Sequence, residues 1–329
     1  MHDGMSGYQG LMTSVKSILD TLLDRAVVPG YSRIGSVVRS RFWGADPAPF
    51  AEPIDVVVTG GSSGLGAATA MSLAKLGARV HIVGRSRERL EKSAGEIHAA
   101  AAGPVVVHRC DVSDLDSVAE FVNALTSELT GLHAVVHCAG VMPNKRIATA
   151  QNHEVAFATH VLGPVAMTVG LRELFDAGSR VIFVSSAGMY TAPLTTQDFE
   201  YTSGKYSGHT AYARTKRMQV VVAEQLAERL IGEHDPVVHS MHPGWAATPG
   251  VTESSPVFGS LMKPILRTAR EGADTVVWLV SGDEALTSTG KFWHDRAVRP
   301  THYPSWRKDS PEARDALWAS VVDATGIDV

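Results

Sequence analysis

The sequence predicts an α/β protein, a doubly wound parallel sheet in a single domain with an N-terminal helical extension. Three observations carry that expectation. Short β-branched runs recur at 54–59, 79–83, 105–109, 133–137, 180–184 and 237–241. Stretches with helical spacing fall between them, at 64–76, 115–129 and 211–230. A glycine-rich turn, Thr59-Gly60-Gly61-Ser62-Ser63-Gly64-Leu65-Gly66, ends the first run and opens the first of those helices. Near-continuous apolar strands alternating with helices mean a parallel sheet covered on both faces. Right-handed crossovers then place ligands at the C-terminal edge of the strands.

Composition narrows the function classes. Of 329 residues, 44% are hydrophobic and 19% charged, as in an ordinary globular protein. A net charge of −4 argues against nucleic acid as a partner. Cys110 and Cys138 each end an apolar run, which suits buried thiols in a reducing, cytoplasmic setting better than a disulfide framework. No apolar run reaches the ~18 residues of a spanning helix. The opening Met-His-Asp-Gly lacks the order of a secretory signal.

Residues 1–53 read as an amphipathic arm and linker. Leu11, Met12, Val15, Ile18, Leu19, Leu22, Leu23, Ala26 and Val27 follow i, i+3, i+4 spacing up to Pro29-Gly30. A shorter pattern holds Ile34, Val37 and Val38, and three prolines mark the linker at 45–53. Such an arm packs its apolar stripe on the main domain or a second subunit, or lies on a membrane surface. Residues 54–304 form the nucleotide-binding domain, and 305–329 a C-terminal helical tail.

The turn at Thr59, Gly60, Ser62, Ser63, Gly64, Leu65 and Gly66 suits a dinucleotide. Glycine lets the backbone approach a pyrophosphate, and the helix that starts there presents free N–H groups. With a strand before it, this is a Rossmann-type fingerprint. The second strand ends at Gly84-Arg85, where NAD binders usually place a carboxylate for the ribose hydroxyls. An arginine pairs with a 2′-phosphate, so NADP(H) is favoured over NAD(H). Asp111 and Val112 follow the third strand, placed to meet the adenine or to cap the next helix. Ala139 and Gly140 end the fourth, small enough for a close pass by the cofactor. Tyr212 and Lys216, four residues apart in a helix, share one face. An ammonium beside a phenol favours the phenolate.

These motifs together resemble the short-chain dehydrogenase/reductase family, in its single-domain branch, from about Ile54 to Pro304. The resemblance implies Ser186, Tyr212 and Lys216 as catalytic residues, Ser186 fitting the family position better than Ser185. It implies hydride transfer between nicotinamide and a lipophilic alcohol or carbonyl compound, with Tyr212 as acid and base, Ser186 donating to the substrate oxygen, and Lys216 on the cofactor ribose. Pro243, Gly244 and Thr248 are expected beside the cofactor. Asn144-Lys145-Arg146, Ser185-Ser186-Ala187-Gly188-Met189-Tyr190, His242-Pro243-Gly244-Trp245-Ala246, Gly272-Ala273-Asp274-Thr275 and Asp295-Arg296-Ala297-Val298 resemble one subgroup of the family, which has a similar arm.

Two departures stand out. The family usually has Asn-Asn-Ala-Gly where this chain has His137-Cys138-Ala139-Gly140, and an asparagine where it has His160. In the family that asparagine bends its helix so that a backbone carbonyl holds a water of the proton relay. His160 therefore keeps the relay through its own carbonyl, joins it through the imidazole, or only packs. Tyr190, a competing tyrosine, lines the cleft or packs. The segment 245–266 offers Val251, Val257, Phe258, Leu261, Met262, Ile265 and Leu266, either as an apolar cover over a lipophilic substrate or as packing. His153, His209 and His242 lack a metal-ligand spacing, and no metal is expected. The expected partners are a small lipophilic substrate and further copies of the chain, a homo-oligomer, with peripheral membrane contact through the arm. The alternative is a weakly catalytic or non-catalytic NADP-binding regulatory or membrane-docked protein.

Overall fold

A computed structural model describes residues 17–101, 103–247, 263–303 and 308–329. Eight strands form one sheet among these residues: β1 (Asp55–Thr59), β2 (Arg79–Gly84), β3 (Val105–Arg109), β4 (Ala134–His137), β5 (Arg180–Val184), β6 (Val237–Met241), β7 (Lys291–His294) and β8 (Ala297–Val298). Their order is β3-β2-β1-β4-β5-β6-β7-β8. Every pairing is parallel except β7 with β8. The winding reverses between β1 and β4, where Val56 pairs with Val80 on one side and Ala134 on the other. Crossovers leave that point in opposite directions, which opens a crevice at the strand ends.

The helices are α1 (17–25), α2 (Val27–Tyr31), α3 (Arg33–Ser40), α4 (Gly64–Lys75), α5 (Arg87–His98), α6 (Leu115–Glu128), α7 (Val155–Phe157), α8 (Gly163–Gly170), α9 (Gly208–Arg229), α10 (Ala269–Ser281) and α11 (Pro311–Thr325). Alternate strand residues face opposite layers. Val57, Val135 and Phe183 meet α6, α8, α9 and α11, whereas Val58, Ile82 and Ile182 meet α4, α5 and α10. Both layers are apolar, so the strands read as unbroken hydrophobic runs.

Several local features differ from the sequence expectation. β7 and β8 were not legible, being short and of mixed polarity. Helix α9 begins at Gly208 because Ser207 caps it, its hydroxyl accepting the Thr210 N–H. A side chain at Gly208 would strike the Pro143 carbonyl. The arm docks on the domain with only part of its apolar stripe: Leu19, Leu23 and Val38 are half-buried, lining a cavity beside Arg39 and Asp295. Gly30, Tyr31, Ser32, Gly35, Ser36 and Arg39 are buried against the domain. Ile18, Leu22, Val27, Val28, Ile34 and Val37 point outward, each 44–62% exposed. Buried arginine–aspartate pairs override the apolar stripe here.

Candidate active site

The crevice at the β1–β4 switch is a groove of about 1650 Å³, open mouth included. Gly60, Ser62, Ser63, Gly64, Leu65 and Gly66 line it beside Arg85, Asp111, Val112, Ala139, Gly140, Ser186, Tyr212, Lys216, Pro243 and Gly244. Thr59 lies fully buried beneath, where its hydroxyl oxygen accepts the N–H groups of Cys138 and Ala139 at 3.0 Å each. That tie joins the ends of β1 and β4. Thr248 and residues 251–262 lie outside the described residues.

The turn is built for close approach. Gly60 takes φ +70°, and a Cβ there would stand 3.0 Å from the Ala139 backbone. A Cβ on Gly61 would meet Ile82 at 2.7 Å, and one on Gly66 would strike the Gly60 carbonyl. Ser63 stands at the N-cap of α4 but its side chain caps nothing, so the first N–H groups of the helix face the groove. This cradle fits a pyrophosphate. Beyond Gly84, the exposed Arg85 lines the groove together with Arg89, which the sequence reading missed. Arg89 donates to the Ser63 hydroxyl at 3.3 Å. It sits in the first turn of α5, four residues beyond Arg85. Asp111 is tied into its own turn by the Ser113 N–H at 3.0 Å and hydroxyl at 2.7 Å.

At the other end of the groove α9 brings Tyr212 and Lys216 onto one face, the ammonium nitrogen 5.4 Å from the ring centroid. The two adjacent serines both border the groove but have different partners. Ser185 is buried and donates to the Lys216 carbonyl at 2.8 Å. Ser186 lines the groove beside Tyr212 and accepts the Gly188 N–H at 3.2 Å. The phenol differs from the sequence expectation. Burial pushes Tyr212 above its ordinary range, against the lowering pull of Ser186. Lys216 is itself only 3% exposed, and burial brings its amine down to about 7. It donates to the Val184 carbonyl and the Gln219 side chain, each at 2.9 Å. Without an anionic neighbour the low-dielectric site disfavours both charges.

His160 does not reach the groove. It is fully buried in a π turn at Ala158–Leu162. Its Nε2 accepts the Val141 N–H at 3.0 Å. Its Nδ1 lies 2.8 Å from the Thr215 hydroxyl, whose own hydrogen goes to the Ala211 carbonyl at 2.9 Å, so Nδ1 is the donor. Burial and the Lys216 charge hold the ring well below its usual range. Both ring nitrogens are thus engaged, with Val141 and Thr215, away from the groove. Gly140 makes room for it, since a Cβ there would stand 3.2 Å from Nε2. His137 is likewise buried, its Nε2 on the Thr168 hydroxyl at 2.8 Å and burial bringing it down to about 3. Tyr190 packs rather than lining the groove, its hydroxyl donating to the Pro300 carbonyl at 2.7 Å. Among the described residues no group of three or more His, Cys, Asp or Glu side chains is arranged for a metal ion. There, too, no helix is long and apolar enough to cross a membrane.

The short-chain dehydrogenase family model matches residues 55–256. The chain belongs to the short-chain dehydrogenase/reductase family. It is 38% identical over 273 residues to human dehydrogenase/reductase SDR family member 12, covering 81% of this chain and 84% of that protein. The subgroup resemblance noted from the sequence is to that member. Human retinol dehydrogenase 12 is 32% identical over 277 residues, covering 83% of this chain and 86% of its own. A crystal structure of an uncharacterized protein from Mycobacterium paratuberculosis superposes with a TM-score of 0.67 at 26% identity, covering 87% of this chain and 98% of that one. As a family member the chain is an oxidoreductase with a nucleotide-binding Rossmann-type sheet.

Proposed function

We propose that this oxidoreductase uses NADP(H) and acts on a lipophilic alcohol or carbonyl compound, with Tyr212 as the acid and base. One observation carries the reading: Ser186 and Tyr212 stand together at the groove wall, with Lys216 one helical turn on. When bound, the dinucleotide supplies the hydride donor or acceptor. Tyr212, held neutral by burial, is in the form that protonates an alkoxide as it develops. Ser186 orients the substrate oxygen toward that phenol. Lys216 regains its full charge once an anionic or hydroxyl-rich ligand lies beside it, and that charge then eases loss of the phenol proton.

His160 serves as a positioning residue, bracing the Val141 loop against α9 through Thr215. Its carbonyl supports the relay by another route. Pro164, four residues on, has no N–H to give it, and the Gly163 N–H goes to the Ala158 carbonyl. That leaves the His160 carbonyl as the natural acceptor for a relay water.

Arg85 and Arg89, with no carboxylate at the end of β2, support NADP over NAD. The apolar Val141 and Met142 in the groove wall support a lipophilic substrate, and retinol dehydrogenase 12 takes its name from one. The outward apolar side chains of the arm support peripheral contact with a membrane surface from the cytoplasmic side, or with a second copy in a homo-oligomer. The residue roles and the division into arm, domain and tail belong to this same proposal.

The test is NADPH turnover on a panel of lipophilic aldehydes and ketones, and NADP turnover on secondary alcohols. Wild-type turnover that disappears in Tyr212→Phe, with NADPH binding retained, supports the proposal. Undiminished turnover in that variant sinks it. The departures at His137, Cys138 and His160 motivate a second reading, a nucleotide-binding regulatory protein. Tight NADPH binding with no turnover on any substrate would favour that one.

A further inference from the structure

We infer that the N-terminal arm is a working part of the groove: it holds the Pro243–Ala247 loop in place, and Arg267 with Asp295 forms the clasp. The inference rests on the reading of the groove as a dinucleotide site. Pro243, Gly244 and Ala246 of that loop line the groove beside Lys216 and Tyr212. The loop touches the arm directly. The Trp245 N–H donates to the Tyr31 carbonyl at 2.8 Å. The Tyr31 ring, buried, stands edge-on to His242 at 4.8 Å between centroids. Gly244 takes φ +72°, and a Cβ there would lie 2.6 Å from the Tyr31 carbonyl and 2.5 Å from Arg267 Nε. Only glycine lets the loop press so close to the arm.

Arg267, 2% exposed, binds both sides at once. Its guanidinium donates to Ser32 O at 3.2 Å and Gly30 O at 3.3 Å in the arm, and to Pro243 O at 3.4 Å in the loop. Its backbone N–H donates to Trp245 O and its carbonyl accepts the Ala247 N–H, both at 2.8 Å. Two of its nitrogens clamp Asp295, at 2.5 and 2.9 Å. The other face of Asp295 meets Arg39 of the arm at 2.8 Å. Asp295 and Arg296 form the turn between β7 and β8 with φ of +51° and +55°, a left-handed pair that is uncommon without glycine or asparagine. Ion pairs hold it: Arg296 grips Asp274 at 2.7 and 2.9 Å. A strained turn kept in place by its carboxylate suggests that the carboxylate's position matters.

Arg39→Met tests the inference, because each partner of Arg39 keeps another. Asp20 keeps Arg299 at 2.7 Å, and Asp295 and the Gly30 carbonyl keep Arg267. Amide hydrogen exchange of the full-length chain should rise about tenfold in peptides over 242–247 and stay unchanged over 55–66, with NADPH affinity falling about tenfold. Arg39→Lys, which keeps the charge but not the bridging fork, should fall between; if Arg39→Met does not fold, it carries the same measurements. Unchanged loop exchange with unchanged NADPH affinity, and only a lower denaturation midpoint, would overturn the inference. Raised loop exchange in a chain whose wild type binds no NADPH would sink the dinucleotide reading and leave the clasp standing.

Discussion

Replacing Lys216 by methionine should change how stability depends on pH, in a direction set by the burial of that amine. In the folded chain burial brings the Lys216 amine from its ordinary 10.5 down to about 7. Between those values the unfolded chain carries a proton that the folded chain does not. Stability therefore rises with pH across that window, by at most ~1.4 kcal/mol per unit. Over the whole window the gain approaches about 5 kcal/mol, and between pH 7 and pH 9 it is about 2 kcal/mol. Below pH 7 both states hold the proton and the gain is absent. Lys216→Met removes the titration and loses the hydrogen bonds to Val184 and Gln219, which shifts its stability by an offset independent of pH. Taking the difference between wild type and variant cancels the other titrating groups. Urea denaturation without nucleotide, followed by tryptophan fluorescence at pH 7, 8 and 9, measures it. Wild type should gain on the variant by about 2 kcal/mol across that range. A flat or falling difference would refute the account, and with it the idea that the site holds its amine at a cost to the fold.

Three further outcomes are expected. Ser186→Ala should cut turnover by about 10²–10³, whereas Ser185→Ala should cost about 1 kcal/mol of stability and leave turnover within several-fold, read by steady-state kinetics and urea denaturation. His160→Asn should leave the shape of the pH–rate profile between pH 6 and 8 unaltered, because the ring does not titrate there; loss of an inflection in the variant would show that it does. Arg85→Asp combined with Arg89→Ala should lower the ratio of NADP to NAD in kcat/KM by at least about tenfold. An unchanged ratio would remove both arginines from the account of cofactor choice.

The sequence by itself determined the parts whose physics is local. A β-branched run, a glycine turn and a helix start are neighbours in the chain, so Thr59 to Gly66 could be recognised from their order. Tyr212 and Lys216 share a face because 3.6 residues make a turn. Arg85 follows its strand directly. The tertiary structure decided what depends on distant neighbours. Which serine faces Tyr212 depends on where the chain turns after β5. Whether Lys216 carries its charge depends on how deeply α9 is buried. The His160 ring is spoken for by Thr215, 55 residues away, and Arg39 meets Asp295 across 256. The arm shows the limit most plainly. Its apolar spacing marked a stripe, but buried guanidinium–carboxylate pairs anchor the arm so that Ile18, Leu22, Ile34 and Val37 of that stripe stay exposed. Spacing reports one side chain's preference for leaving water, and not which charges from the rest of the chain will be waiting to pair.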